Sequence, residues 1–247
     1  MNPPPPSWVP FVAAAATLIA ALVALFKEDV VKLWRRSKLS LRMLLAAPDC
    51  VQMPVEVRYR FSTKGMSVAT TSGVVPNELE GKWTGNCYYF RLWIKNAGYL
   101  AERVQVYVDS IQREMGDGRS ELVTDFIPMN LRWSDSPADK PIIFETINPA
   151  MGRYCDFGAV SEPSNPTESL RDGMIKGEST FNLQTQVTPN TQGNRLKPGK
   201  YTIKLLVAAS NAKPTTFTVK LDWTGQYMAD TNRMFGEAVR NLAVSEV

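Results

Sequence analysis

The chain has no histidine among its 247 residues. That absence removes Ser/His/Asp and Cys/His nucleophile systems, histidine acid–base work and zinc sites with imidazole ligands. Cysteine is scarce as well. Cys50, Cys87 and Cys155 form an odd set without paired spacing, so a secreted disulfide framework is not expected, and free thiols suit a reducing compartment. No glycosylation acceptor survives inspection, because Asn165-Pro166-Thr167 is excluded by its proline. One-sided charge is missing too. The chain carries 28 Lys and Arg against 24 Asp and Glu, a net charge of +4. The segment 27–42 holds six cations and two anions and accounts for the whole excess, leaving 22 against 22 elsewhere. A balanced bulk has no electrostatic footprint for nucleic acid, so no nucleic-acid partner is expected.

What is present is one long apolar run. Residues 8–26, WVPFVAAAATLIAALVALF, contain no charged side chain, and Thr17 is their only hydroxyl. As a helix rising ~1.5 Å per residue they reach roughly 28 Å, close to the ~30 Å of bilayer hydrocarbon. Pro10 falls in the first turn, where a missing N–H costs nothing. A cleaved signal peptide needs a basic region before the run, and MNPPPPSWVP has none. A buried core helix rarely lacks a polar face over such a length. The pattern therefore predicts a transmembrane helix over 8–26, a Pro-rich extracytoplasmic cap over 1–7 and a basic juxtamembrane segment over 27–37.

Positive residues stay cytoplasmic, which places the N-terminus outside and the rest of the chain in the cytoplasm, against the inner membrane. Trp8, Lys27, Lys32, Trp34, Arg35, Arg36 and Lys38 are the expected membrane-interface residues, and the bilayer is the expected partner. Ala16, Ala20 and Ala24 repeat every fourth residue. Small residues at that spacing let two helices approach, a seam for a homodimer, although an Ala-rich span also yields the spacing by chance.

After Leu39 the period changes to two. Leu39, Leu41, Met43 and Leu45 open the β pattern, and Val55, Val57, Tyr59 and Phe61 share one face of the next strand. Residues 62–85 read as a long excursion or a poor edge strand. The clearest signal is 88–109: Phe90, Leu92 and Ile94 alternate with Arg91, Trp93 and Lys95, Asn96-Ala97-Gly98 turns the chain, and Val104, Val106 and Val108 follow. Trp93 falls on the polar face, where an aromatic either packs on a second layer or marks a partner surface. Further strands are expected over 126–133, 142–147, 154–160 and 181–187, with a long loop over 161–179. A second strong block, 196–221, turns at Pro198-Gly199 and puts Tyr201, Ile203, Leu205 and Val207 on one face. In the tail, Met228, Phe235, Val239 and Leu242 have helical spacing, and a short helix followed by a final strand fits equally. Eight or nine strands over about 200 residues predict a mainly β, antiparallel sandwich in one domain, 38–247.

The strand, the Asn96-x-Gly98 turn, and Ala101, Glu102, Val104 and Val106 together resemble the cell-adhesion-related immunoglobulin-like modules of bacteria. The late hairpin resembles that of immunoglobulin-like sandwiches, with Tyr201 at the place of a tyrosine corner. The layout as a whole is similar to uncharacterised bacterial single-pass membrane-anchored proteins with an immunoglobulin-like body. What the resemblance implies is an immunoglobulin-like sandwich behind one N-terminal transmembrane helix.

Chemical motifs are few. Asp156-Phe157-Gly158 spells a kinase motif, but the chain lacks the Gly-rich loop, the lysine–glutamate pair and the catalytic-loop histidine. Asp156 beside Cys155 would raise the thiol pKa rather than activate it. Asp109, Asp117, Glu121 and Asp125 flank a glycine turn without the spacing of a calcium loop. No catalytic residue, cofactor or metal site is therefore expected. The expected function is a membrane-anchored binding or adaptor module that presents a cytoplasmic β-sandwich to a protein partner. The alternatives are an oligomerising membrane effector with a sensing sandwich and a carboxylate-dependent hydrolase.

Overall fold

A computed structural model describes residues 12, 14–21, 23, 36–62, 78–137, 143–165 and 178–247. In chain order the first strands are β1 (Leu39–Arg42), β2 (Cys50–Ser62), β3 (Glu78–Asn96), β4 (Ala101–Glu114) and β5 (Ser120–Leu122). Short strands follow: β6 (Met129–Asn130), β7 (Arg132–Trp133), β8 (Glu145–Ile147), β9 (Gly152–Ser161), β10 (Phe181–Leu183) and β11 (Arg195–Leu196). The chain closes with β12 (Gly199–Ala209), β13 (Ala212–Trp223) and β14 (Val239–Glu246).

These strands build two antiparallel sheets. The first runs β1-β3-β9-β10-β11, with β2 also on β3 and β7 also on β9. The second runs β14-β13-β12-β4-β5, with β6 and β8 also on β4. Period-two alternation decides which side chains face inward. Tyr88, Phe90, Leu92 and Ile94 of β3 are fully buried, as are Val104, Val106, Val108 and Ile111 of β4. Val108 and Ile111 stay on one face because the β4–β12 register shifts beside Asp109, a bulge that absorbs the extra residue. Tyr201, Ile203, Leu205 and Val207 face Phe217, Val219 and Leu221 in the neighbouring strand, and all belong to one continuous core.

Aromatic rings join the two sheets. Phe181 of the first sheet lies 5.0 Å from Phe90, 5.8 Å from Phe157 and 6.4 Å from Trp223 of the second. Its ring rests on Gly158, where a Cβ would have no room. A fully buried aromatic of this kind contributes about 3–5 kcal/mol against truncation to alanine. The Tyr201 hydroxyl donates to the Lys197 carbonyl four residues upstream at 2.8 Å, the hydrogen bond a tyrosine corner makes.

The arrangement is thus mainly β and sandwich-like, as the alternation predicted, and it departs from the expected strands in the middle of the chain. The strand expected over 126–133 is two. Met129–Asn130 pairs with β4 in the second sheet and Arg132–Trp133 with β9 in the first. Leu131 between them and Trp133 of β7 are buried, because the chain passes through the core as it changes sheets. The strand expected over 142–147 is only Glu145–Ile147. The tail follows one of its two expected readings, a short helix and then a final strand: one helical turn, Thr231–Arg233, capped by the Asp230 side chain, then a π-helical turn, Met234–Ala238, before β14. Met234 and Phe235 of that turn close the core beside Tyr88 and Phe90.

The membrane span expected over 8–26 is not established by the described residues. Residues 12, 14–21 and 23 are helical. Among the described residues, no helix is long and apolar enough to cross a membrane.

Candidate functional site

Of the expected interface residues, Arg36 and Lys38 are described; Trp8, Lys27, Lys32, Trp34 and Arg35 lie outside the described residues. Ala16 and Ala20 are helical and exposed, and Ala24 lies outside. The apolar residues around them, Val12, Leu18, Ile19 and Val23, are 55–62 % exposed.

Arg36 to Lys38 lead into β1 and are held by the Asn96-x-Gly98 turn. Asn96 is fully buried. Its side-chain carbonyl accepts from the Lys38 amide at 3.2 Å and the Gly98 amide at 3.0 Å. Its side-chain amide donates to the carbonyls of Tyr99 and Ile147 at 2.5 and 2.9 Å. Backbone bonds run from Ala97 to the Lys38 carbonyl and from Tyr99 to the Arg36 carbonyl. Gly98 is required by close approach, since a Cβ there would strike the Arg36 carbonyl and the Lys38 amide. Asn211 holds the same end from the second sheet, accepting from Ser37 at 3.4 Å and from the Glu102 amide at 3.1 Å. The turn therefore fixes Arg36 to Lys38 against the sandwich.

The second cluster lies on the outer face of the first sheet. Arg91 of β3 stands opposite Asp156 of β9, and Arg132 of β7 stands opposite the same carboxylate. Asp156 is 6 % exposed and accepts from the Ser134 hydroxyl at 2.6 Å. Burial raises its pKa, while Ser134, Arg132 and Arg91 pull it down without cancelling the effect. Beside it the Tyr154 ring lies 4.7 Å from the Arg91 guanidinium and 4.6 Å from Trp93. The Tyr154 hydroxyl donates at 3.0 Å to Asp49, a carboxylate with no solvent exposure. Asp49 also accepts from the Leu44 amide at 3.0 Å, and Arg42 approaches it to 3.9 Å. The Arg91 guanidinium also donates to the Pro48 carbonyl.

This face combines half-buried arginine and aromatic side chains with buried carboxylates. Trp93 was the one signal of it in the sequence, and it packs on Tyr154. No pattern in the sequence singles out Asp49. The face offers charge and flat aromatic surface but no nucleophile. Burial pushes the Cys50 thiol up to about 12, with Asp49 adding to the shift, and burial with Asp156 raises Cys155 well above the usual thiol range. Phe157 and Gly158 of the kinase-like triplet sit mid-strand in β9 and pack against Phe181. Asp117 is engaged by Arg119 at 2.6 Å, and Asp109 lies 3.7 Å from Lys204. Among the described residues no group of three or more carboxylates and cysteines is placed to hold a metal.

Comparison with known proteins yields no match: no family model, no curated protein and no solved structure is similar to this chain.

Proposed function

We propose that this is a single-pass membrane protein whose β-sandwich, immunoglobulin-like in kind, serves as a cytoplasmic binding or adaptor module. The observation that carries the reading is the helix at the N-terminal end. Val12, Leu18, Ile19 and Val23 are more than half exposed and belong to no part of the core. Exposed aliphatic side chains in such a row call for an apolar cover, and residues 8–26 match a bilayer in length and composition. The basic flank at 27–42 supports the cytoplasmic side for the sandwich.

The contact surface we assign is the outer face of the first sheet. Arginine, tryptophan and tyrosine are the side chains that dominate binding energy at protein interfaces, and Arg91, Trp93 and Tyr154 meet there. Its arginines suit a protein partner that presents carboxylates. Self-association through Ala16 and Ala20 is a companion reading supported by their exposure and spacing.

Alkaline carbonate extraction tests the anchor. The full chain is expected to stay with the membrane pellet, and a chain lacking 8–26 to be released. Release of both overturns the anchor. A photo-crosslinking residue at position 93 is expected to yield a discrete adduct in cells that the same residue at position 218, on the other sheet, does not. Equal labelling at both positions removes the assigned face.

A further inference from the structure

We infer that a cavity at the end of the sandwich remote from the N-terminal segment binds a phosphate-bearing small molecule. The cavity measures about 360 Å³, within the range of small-molecule sites. Among the described residues its lining includes Arg113, Arg195, Lys197, Thr180, Thr191 and Tyr201, with Asp125 as the one acidic residue. These cations come from two stretches of the chain, one around residue 113 and one over 195–197. Arg113 lies near the end of β4, Arg195 opens β11, and Lys197 lies in the turn before β12.

The walls of this cavity are fixed. The Arg113 guanidinium donates to the Pro198 carbonyl at 2.8 Å and lies 5.9 Å from the Tyr201 ring. The Tyr201 hydroxyl ties back to the Lys197 carbonyl. Thr191 donates to the Asp125 carbonyl at 2.5 Å, which binds the loop after β10 to the loop after β5. Gly193 packs so closely on the Asp125–Phe126 backbone that a Cβ has no space. Thr180 donates to Asn182 at 3.0 Å. A guanidinium held by one of its nitrogens keeps further N–H groups to offer, and three cationic side chains around one cavity suit a group with three terminal oxygens better than a carboxylate with two. Nearby, Lys200 lies 3.7 Å from Glu114, which balances that acid outside the lining.

The N-terminal segment meets the sandwich near Asn96 and Asn211, at the other end of β12. From Tyr201 to Ala209 that strand covers about 26 Å. The site accordingly points away from the surface that the proposed anchor would approach, so the source is a soluble phosphate monoester and not a lipid headgroup. Only this choice of source rests on the membrane reading.

Titration calorimetry on the full chain in detergent micelles, with glycerol phosphate as probe, tests the site. Saturable binding is expected, with acetate at least about tenfold weaker. Lys197→Gln, at an exposed position, and Arg195→Gln are each expected to weaken binding about 10- to 100-fold while the melting temperature is retained. If Arg195→Gln does not fold, Lys197→Gln decides alone. Absence of saturable binding up to about 10 mM, binding unchanged in the variants, or equal binding of acetate overturns the proposal. Binding to phosphatidic acid vesicles without binding of glycerol phosphate overturns the soluble source.

Discussion

The two sheets share one core but differ on their outer faces. Along β12 and β13 the outward residues are Lys200, Thr202 and Lys204, then Thr216, Thr218 and Lys220, half-buried or exposed. Their ion pairs are long and wet: Lys200 to Glu114 and Lys204 to Asp109 are both 3.7 Å, with side chains roughly half exposed. On the first sheet the outward residues are Arg91 and Trp93 of β3 with Tyr154 and Asp156 of β9, and Asp49 joins them from the turn before β2. The local sequence pattern is the same in both sheets, apolar alternating with polar. The energetic status of the polar half differs. Solvated pairs contribute little, because water already satisfies each charge. A carboxylate without exposure must find its partners inside the protein, and removing it strands them.

The largest expected break in that comparison is Asp49→Ala. It takes the acceptor from the Leu44 amide and the Tyr154 hydroxyl and is expected to cost about 3–5 kcal/mol in urea unfolding. Asp109→Ala on the other sheet is expected to lie within about 0.5 kcal/mol of wild type. Similar costs for the two would erase the distinction between the faces.

Trp93→Ala comes next. It removes a ring packed at a tilt of 55° on Tyr154, 4.6 Å between centroids, and is expected to cost about 2 kcal/mol, while Thr218→Ala stays within about 0.5 kcal/mol. Combining Trp93→Ala with Tyr154→Ala sharpens the point. The two are expected to cost less together than the sum of their separate effects, by about 1 kcal/mol, because they delete one shared contact.

The smallest effect concerns pH. Asp156 has its pKa raised above the ordinary aspartate value, chiefly by burial. A raised carboxylate binds its proton more tightly in the folded than in the unfolded chain, so its contribution is present below about 4 and is lost as pH rises through the folded value. The melting temperature of Asp156→Asn relative to wild type is therefore expected to improve as pH rises from about 4. A constant difference across that range would show that burial does not dominate at Asp156.

These contrasts also mark what was legible in advance. The long alternating strands β3, β12 and β13 could be read from the sequence because eight or more residues keep one period, and β4 because Val104, Val106 and Val108 do so before its bulge. Strands of two or three residues, such as Met129–Asn130 and Arg132–Trp133, carry no period at all. Their separation at Leu131 depends on which sheet lies nearer, a tertiary fact. Asn96 and Gly98 were read as a turn, yet their larger role is to hold Arg36 to Lys38, which lie about 60 residues earlier in the chain. The outer network of the first sheet left only Trp93 as a trace. Burial of Asp49 and Asp156 comes from strands far apart in sequence closing over them. The cavity beside Arg113 joins residues from loops some 80 positions apart, and no local motif announces it.

The most direct test of the account is a pair of topology reporters, one fused before Met1 and one after Val247. The account predicts that the reporter at Val247 is active only as a cytoplasmic protein and the one at Met1 only outside. Activity of the Val247 reporter on the outer side would contradict it, because the sandwich and its arginine–aromatic face would then stand in the wrong compartment.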